Sequence, residues 1–379
     1  MDAPNSWVDG TCSPEFQVVR DAFTANFADG DLGASCAVTL RGKLVVDLWG
    51  GHRDVARREP WQRDTLVNIW STTKMISAMS VLMLHDRGKL DVDAPMAMYW
   101  PEFAANGKDG VLVRHVLGHT AGLATFDDPP DDLALFDWDA CCRILAEQAP
   151  SWTPGDGSGY HAETQGWLLG ELVRRVDGRS LGHFFREEVA EPLSLDLHLG
   201  VAERDFPRIA DVSTLGAEPN ISPDPSLRER GQKSSRRSAS LVNTRAWRQA
   251  EFPSSNAHGN ARSVALAMAP FANGGLARGI TFLSPATIER AFEQQADGID
   301  RTTGHHFRLG MGFGLNSPKT PLGTNDRTLW WAGWGGSMTV IDVQNEMTVS
   351  YTMNRMRSAG DARAIKVIYA AHGCRAKLD

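Results

Sequence analysis

The chain has 379 residues, is 42% hydrophobic and 22% charged, and carries a formal net charge of −7. That length supplies a substantial core for one large two-part domain or two domains, and the mild acidity excludes long-range attraction for nucleic acid or an anionic membrane. No apolar run approaches the ~20 residues of a membrane span, Met1–Ser6 lacks a basic stretch followed by an apolar one, and the cysteines Cys12, Cys36, Cys141, Cys142 and Cys374 lack zinc-like spacing, so the expectation is a cytoplasmic protein with free thiols, no metal, no membrane and no nucleic-acid partner.

After a loop-like start, Phe16–Phe27 has helical periodicity. Ala34–Leu40 and Lys43–Trp49 are β-rich runs across the two-residue turn Arg41-Gly42, which reads as a hairpin. A charged connection, Asp54–Asp64, leads through Thr65–Trp70 into Ser71-Thr72-Thr73-Lys74 and a helix whose apolar positions include Ile76, Met79, Met83 and Leu84, stopped by Asp86-Arg87-Gly88. Ser71 and Lys74 fall on one face of the first turn, with β-carbons ~5–6 Å apart, so the amine reaches the hydroxyl. The S-x-x-K spacing occurs in active-serine acyl-transfer enzymes, but ordinary residue frequencies supply about one match by chance in a chain this long, and an N-cap serine with a solvated lysine has the same pattern. This match is the only one in the chain, and it opens an apolar helix.

Val113–Leu123 is a helix end running into a glycine turn, where His119 is expected to cap carbonyls. Helices follow at Trp138–Gln148, Glu163–Val176 and Leu181–Val189 with no strand between them, which implies a helical insertion rather than repeated βαβ units. Between the first two, Trp152–His161 is a Gly-rich loop that presents Tyr160 just before a helix. Residues 219–244 are rich in Ser, Arg and Lys, including Arg228, Arg230, Lys233, Arg236 and Arg237, without interleaved aromatics. They read as a long solvated loop that can bend over a cleft, not as a nucleic-acid patch. Helices at Ser263–Ala272 and Ser284–Phe292 precede antiparallel strands at Leu329–Trp331, Ser337–Asp342 and Met347–Asn354, and Asp361–Ala371 is a closing helix. Strands at both ends around a helical middle imply an α+β fold with one sheet built from the two termini. Residues 1–105 and 250–379 form its two parts, and 106–249 form the inserted helical domain.

A serine hydrolase needs an activated oxygen, a base and two N–H groups aimed at the developing oxyanion. The chain has no G-x-S-x-G elbow and no H-E-x-x-H pair, which disfavours an α/β-hydrolase and a zincin. Tyr160 can present its phenol into a cleft or simply pack. Trp331-Ala332-Gly333-Trp334-Gly335-Gly336-Ser337 places small residues between indoles on a strand edge, where glycine admits a substrate group and edge N–H groups are available, or where a sheet merely bends.

In this order and at these intervals, Ser71-Thr72-Thr73-Lys74, Gly88–Pro95, Leu117–Leu123, Tyr160-His161-Ala162 and His258–Ser263 resemble the serine β-lactamase and penicillin-binding-protein superfamily. More narrowly, the chain resembles its β-lactamase-like carboxylesterases, esterase family VIII, over nearly its whole length. The resemblance implies a β-lactamase/transpeptidase-like fold, Ser71 as nucleophile, and Lys74 with Tyr160 as the base system. It also implies an oxyanion hole from the Ser71 and Trp334 N–H groups and no cofactor; Trp331, Gly333 and His258 are expected to contact substrate, and His161 either does so too or merely packs. Relative to lactam-opening members, Ala162 stands where Asn is usual and Trp331-Ala332-Gly333 where Lys-Thr-Gly is usual, while Lys319-Thr320-Pro321 lacks the glycine and precedes the strand. Trp331 replaces a cation with an apolar wall. The expected substrate is therefore a small neutral acyl ester, with a β-lactamase, a D-amino-acid peptidase or an acyltransferase as the alternative, and a non-catalytic binding module as the rival of another class.

Overall fold

The computed structural model describes residues 8–132, 134–214, 222–358 and 360–378; Met1–Ser6 and residues 219–221 of the basic segment lie outside them. Strands and helices begin with β1 (Val8–Cys12), α1 (Gln17–Ala28), β2 (Gly33–Leu40) and β3 (Lys43–Gly51), then the short β4 (Val67–Asn68) and α2 (Lys74–Asp86). The middle holds α3 (Val113–Leu117), α4 (Trp138–Glu147), α5 (Thr164–Asp177), α6 (Leu181–Phe185), β5 (Leu197–His198), α7 (Pro225–Leu241) and α8 (Arg245–Gln249). Next come β6 (His258–Gly259), α9 (Ala261–Ala272), β7 (Leu276–Ala277), β8 (Ile280–Thr281) and α10 (Pro285–Phe292). The chain ends with β9 (Ala296–Ile299), β10 (His306–Leu309), β11 (Gly314–Leu315), β12 (Thr328–Ala332), β13 (Met338–Asp342), β14 (Met347–Met353) and α11 (Arg363–Arg375).

Arg41 and Gly42 both have positive φ, 51° and 70°, the backbone twist that a two-residue hairpin requires. The hairpin they close enters a nine-stranded sheet of order β1-β3-β2-β14-β13-β12-β11-β10-β9. Antiparallel pairing of β14 with β2, from Met347 opposite Leu40 to Met353 opposite Ala34, joins the two ends of the chain in mid-sheet. The α+β architecture expected from the sequence is thus present. Alternation along β14 sends Val349 and Tyr351 into a core with Val19 and Phe23 of α1 and Val367 and Ile368 of α11. On the opposite face Thr348 bonds to Thr39 and to the Ala265 carbonyl of α9, and Ser350 pairs with Thr339. The hydroxyls are satisfied there because the small residues Ala261 and Ala265 let α9 come close.

Residues 225–241 are a helix, which corrects the expectation of a loop. Its start follows ordinary capping chemistry: Asp224 accepts the N–H groups of Ser226 and Leu227, and Pro225 occupies the first turn. Only Leu227 and Ser238 are buried along it, so hydrophobic periodicity carried no signal. Strands β1 and β9–β11 were also not anticipated, being short and mixed in composition. Among the described residues no helix is long and apolar enough to cross a membrane.

Candidate active site

Ser71 lies in a 3-10 turn, Trp70–Thr73, that feeds directly into α2. Two neighbours clamp this turn. The Thr73 hydroxyl accepts the Ala257 N–H at 3.0 Å, and Ile69 N–H donates to the Ala257 carbonyl at 2.9 Å. On the other side the Ser337 hydroxyl bonds to Thr72 Oγ1 at 3.0 Å and donates to the Ile69 carbonyl at 2.8 Å. Trp70, just before the serine, has φ of 50°, a strained conformation for a bulky residue that such clamping sustains. At the second position of the turn, the Ser71 N–H belongs to the set that has no acceptor within a helix.

Lys74 is buried, and its Nζ lies 3.3 Å from Ser71 Oγ, 2.6 Å from the Ala162 carbonyl and 3.0 Å from the Ser254 carbonyl. Burial holds its pKa well below the usual lysine value, partly opposed by the Glu163 carboxylate. Two of the amine's N–H bonds serve the two carbonyls, and its third direction is toward Ser71 Oγ. Tyr160 hydrogen-bonds to both Ser71 and Trp331; since indole can only donate, Trp331 Nε1–H donates to the phenol oxygen. Burial raises the phenol pKa above its usual value, outweighing these two bonds. The Lys74 Nζ also lies 4.9 Å from the centre of the Tyr160 ring. The result is a connected polar set around Ser71: the Trp331 indole and the Ser71 hydroxyl meet at the Tyr160 oxygen, and the Lys74 amine lies 3.3 Å from Ser71 Oγ.

Ser71 opens onto a cavity of about 210 Å³ walled by Tyr160, Thr303, His305, Phe307 and Trp330 through Trp334. The pairing of β12 with β11 ends at Trp330, so from Trp331 onward the strand faces the cavity. A second lobe shares Tyr160 and Thr303 and runs beneath α7, past Phe126, Ala162, Leu227, Arg230 and Ser234. The sequence reading missed Thr303, His305, Phe307 and the α7 residues. It also missed the Ser254 and Ala162 carbonyls, which carry no residue-type signal. Among the described residues no group of three or more His, Cys, Asp or Glu is placed to hold a metal.

Three histidines depart from expectation. His119 (φ 60°) does not cap carbonyls. Its ring stacks on Trp331 with centroids 5.2 Å apart, meets Tyr160 edge-on at 5.0 Å, and accepts the His161 N–H at 3.1 Å. His161 lies off the cavity walls, fully buried: its Nδ1–H donates to the Gly159 carbonyl at 2.6 Å and its Nε2 accepts the Leu123 N–H at 3.1 Å. His258 is likewise buried, in the strand β6 between β4 and β5, with Nδ1 bonded to the Asn256 carbonyl. Neither ring lines the cavity: His161 has both nitrogens bonded, whereas His258 Nε2 has no hydrogen-bond partner among the described residues. Gly333 does line the cavity, but its tightest neighbours are the protein's own: a Cβ there would meet Ser337 Oγ at 2.2 Å and the Ile69 carbonyl at 2.5 Å.

A family model described as Beta-lactamase matches residues 20–372. The Esterase/beta-lactamase LipL of Mycobacterium tuberculosis (strain ATCC 25618 / H37Rv) is 33% identical over 371 residues, spanning 92% of this chain and 83% of that protein. Among solved structures, a family VIII carboxylesterase superposes with a TM-score of 0.91 at 38% identity over 97% of this chain and 100% of that one. A penicillin-binding protein homolog from Caulobacter crescentus gives 0.89 at 37% identity, again over 97% and 100%. The clamped serine turn, its buried lysine and this similarity along the chain lead to one conclusion: the protein belongs to the Beta-lactamase family and is a serine hydrolase of that family's esterase-like group.

Proposed function

We propose that the protein is a carboxylesterase for short-chain acyl esters that works through an acyl-Ser71 intermediate. The observation that carries this reading is the hydrogen-bonded set Trp331, Tyr160, Ser71 and Lys74 opening on a cavity walled largely by aromatic side chains. The Ser71 oxygen attacks the ester carbonyl as its proton passes to the neutral Lys74 amine. The Ser71 and Trp334 N–H groups receive the oxyanion. Collapse expels the alcohol, protonated by Tyr160, and the Lys74 ammonium returns a proton to the phenol. Water then attacks the acyl carbonyl as Lys74 takes its proton, and collapse breaks the bond to Ser71 Oγ, which takes that proton back from the Lys74 ammonium as the acid leaves. In this reading the second-motif Asn is dispensable because the Ala162 and Ser254 carbonyls orient the amine. The modest cavity, about 210 Å³ against roughly 300–1,000 Å³ for drug-sized ligands, favours a small acyl group.

Hydrolysis of p-nitrophenyl acetate and butyrate by the wild type and by Ser71→Ala tests the assignment; equal rates would sink it. The similarity to a penicillin-binding protein homolog supports a second reading, lactam or D-amino-acid amide cleavage with the same serine. Turnover of nitrocefin or a D-alanyl amide far above that of simple esters would favour it.

A further inference from the structure

Glu163 stands where helix α7 meets the reacting groups. The carbonyl before it, on Ala162, accepts the Lys74 amine, and its own carbonyl accepts the Ser254 hydroxyl at 2.8 Å. Its carboxylate points the other way and takes Arg237 Nη2–H at 2.9 Å and the Ser238 hydroxyl at 2.8 Å, both from α7. The second terminal nitrogen of Arg237 donates to the Pro130 carbonyl at 2.6 Å. The side chains of Arg237 and Glu163 are 10% and 14% exposed, so solvent screens this pair little. The outer turns of α7 are held lightly: Leu227 packs on Ala124 and Trp152, and Arg230 pairs with Asp127. Leu241 at its far end packs on the main core beside the buried Val242, whereas the outer turns rest on Leu227 and polar contacts, the kind of segment that lies toward the low end of local stability, and they form a wall of the second lobe.

We propose that Arg237 is a positioning residue: with α7 docked over the cleft, its pairing with Glu163 offsets part of the negative charge that Lys74 faces. With α7 lifted, the bare carboxylate favours the ammonium form of Lys74, and the base is lost until the helix returns. The enzyme is then competent only with its cleft covered. The inference rests on Lys74 acting as base in the ester hydrolysis proposed above.

The other groups around Lys74 leave Glu163 as the charge that matters. Burial keeps His119 neutral and lowers the His161 pKa to about 4, and it holds the Tyr160 phenol protonated. The Ser254 segment and β12 present Ser254 and Trp331, which do not titrate. Asp300, farther off, faces Tyr160 and His161 and is capped by the N–H groups of Thr302 and Thr303. On the α4 side Cys141 faces Glu163 and Arg237, with burial pushing its thiol up to about 12.

The test is the pH dependence of kcat/KM for p-nitrophenyl butyrate, whose acid limb reports the free enzyme's essential base. Arg237→Gln is expected to move that limb upward by roughly half a unit or more, Glu163→Gln to move it downward, and the double variant to cancel the upward move. Arg237→Lys keeps the charge and is expected to hold the limb near the wild-type position. A uniform loss of rate at every pH with an unmoved limb, or a double variant that stays shifted upward, would overturn the role of Arg237. If Arg237→Gln fails to fold, Glu163→Gln still decides, because an unmoved limb there overturns the coupling. Absence of Ser71-dependent hydrolysis in the wild type removes the proposed function itself, a failure distinct from an unmoved limb in an active esterase.

Discussion

Gly333→Ala inserts one methyl group where β12 passes the serine turn. The added carbon would lie 2.2 Å from Ser337 Oγ, 2.5 Å from the Ile69 carbonyl oxygen and 3.0 Å from Trp70 Cβ. Ordinary contact begins at 3.4 Å, so strand and turn must separate by about 1 Å. The Ser337 hydroxyl cannot swing aside without giving up its bonds to Thr72 and Ile69. The separation falls between the Ser71 and Trp334 backbones, the proposed oxyanion donors. A misplacement of about 1 Å costs about 10²-fold, and losing one donor costs about 10²–10³-fold in kcat, or about 2.7–4 kcal/mol of barrier. The expected phenotype is therefore a folded protein with kcat for p-nitrophenyl butyrate down at least about 10²-fold and KM little changed. Steady-state kinetics together with a thermal melt measure both. A kcat within about threefold of wild type in a protein of normal melting temperature would refute the geometric reasoning.

Tyr160→Phe removes the phenol from the hydrogen-bonded set and is expected to lower turnover at least ~10²-fold; near-wild-type activity would assign all proton transfer to Lys74. Trp331→Lys exchanges the indole wall for a cation and should raise the kcat/KM ratio of carboxylate-bearing over neutral esters; an unchanged ratio would remove Trp331 from substrate selection. The buried histidines predict acid sensitivity: His161 and His258 have folded pKa values of about 4 and about 3, and His119 is also depressed. Their stabilisation is complete above the unfolded value near ~6.5 and declines as pH falls toward the folded values, by at most about 1.4 kcal/mol per pH unit for each ring. Urea midpoints at pH 7 and pH 5 check this, and equal midpoints would contradict it.

Helix α7 and the histidines mark where one-dimensional reading stopped. The Asp224-Pro225 start of α7 was written in the chain, but with Leu227 its only buried apolar residue no periodic stripe drew attention to it. Its charges looked solvated because their partners, Asp127 and Glu163, are distant in sequence. His161 has the same residue type whether it lines a cleft or joins two loops. Only its bonds to Gly159 and Leu123 distinguish the two.

What the sequence determined by itself is what short spacing encodes. Ser71 and Lys74 share a helical turn and therefore meet, and Arg41-Gly42 can turn a hairpin. The ordered motifs identify the superfamily, and the Trp331 substitution argues for neutral substrates. What only the tertiary structure decided depends on groups far apart in the chain or without a residue-type signature. The backbone carbonyls of Ala162 and Ser254 converge on one amine, the Trp331 indole reaches the Tyr160 phenol, and an arginine 74 residues from Glu163 covers its charge. The physical reason is that local periodicity survives in a linear code, whereas the partner of a buried polar group is set by loop closure and packing.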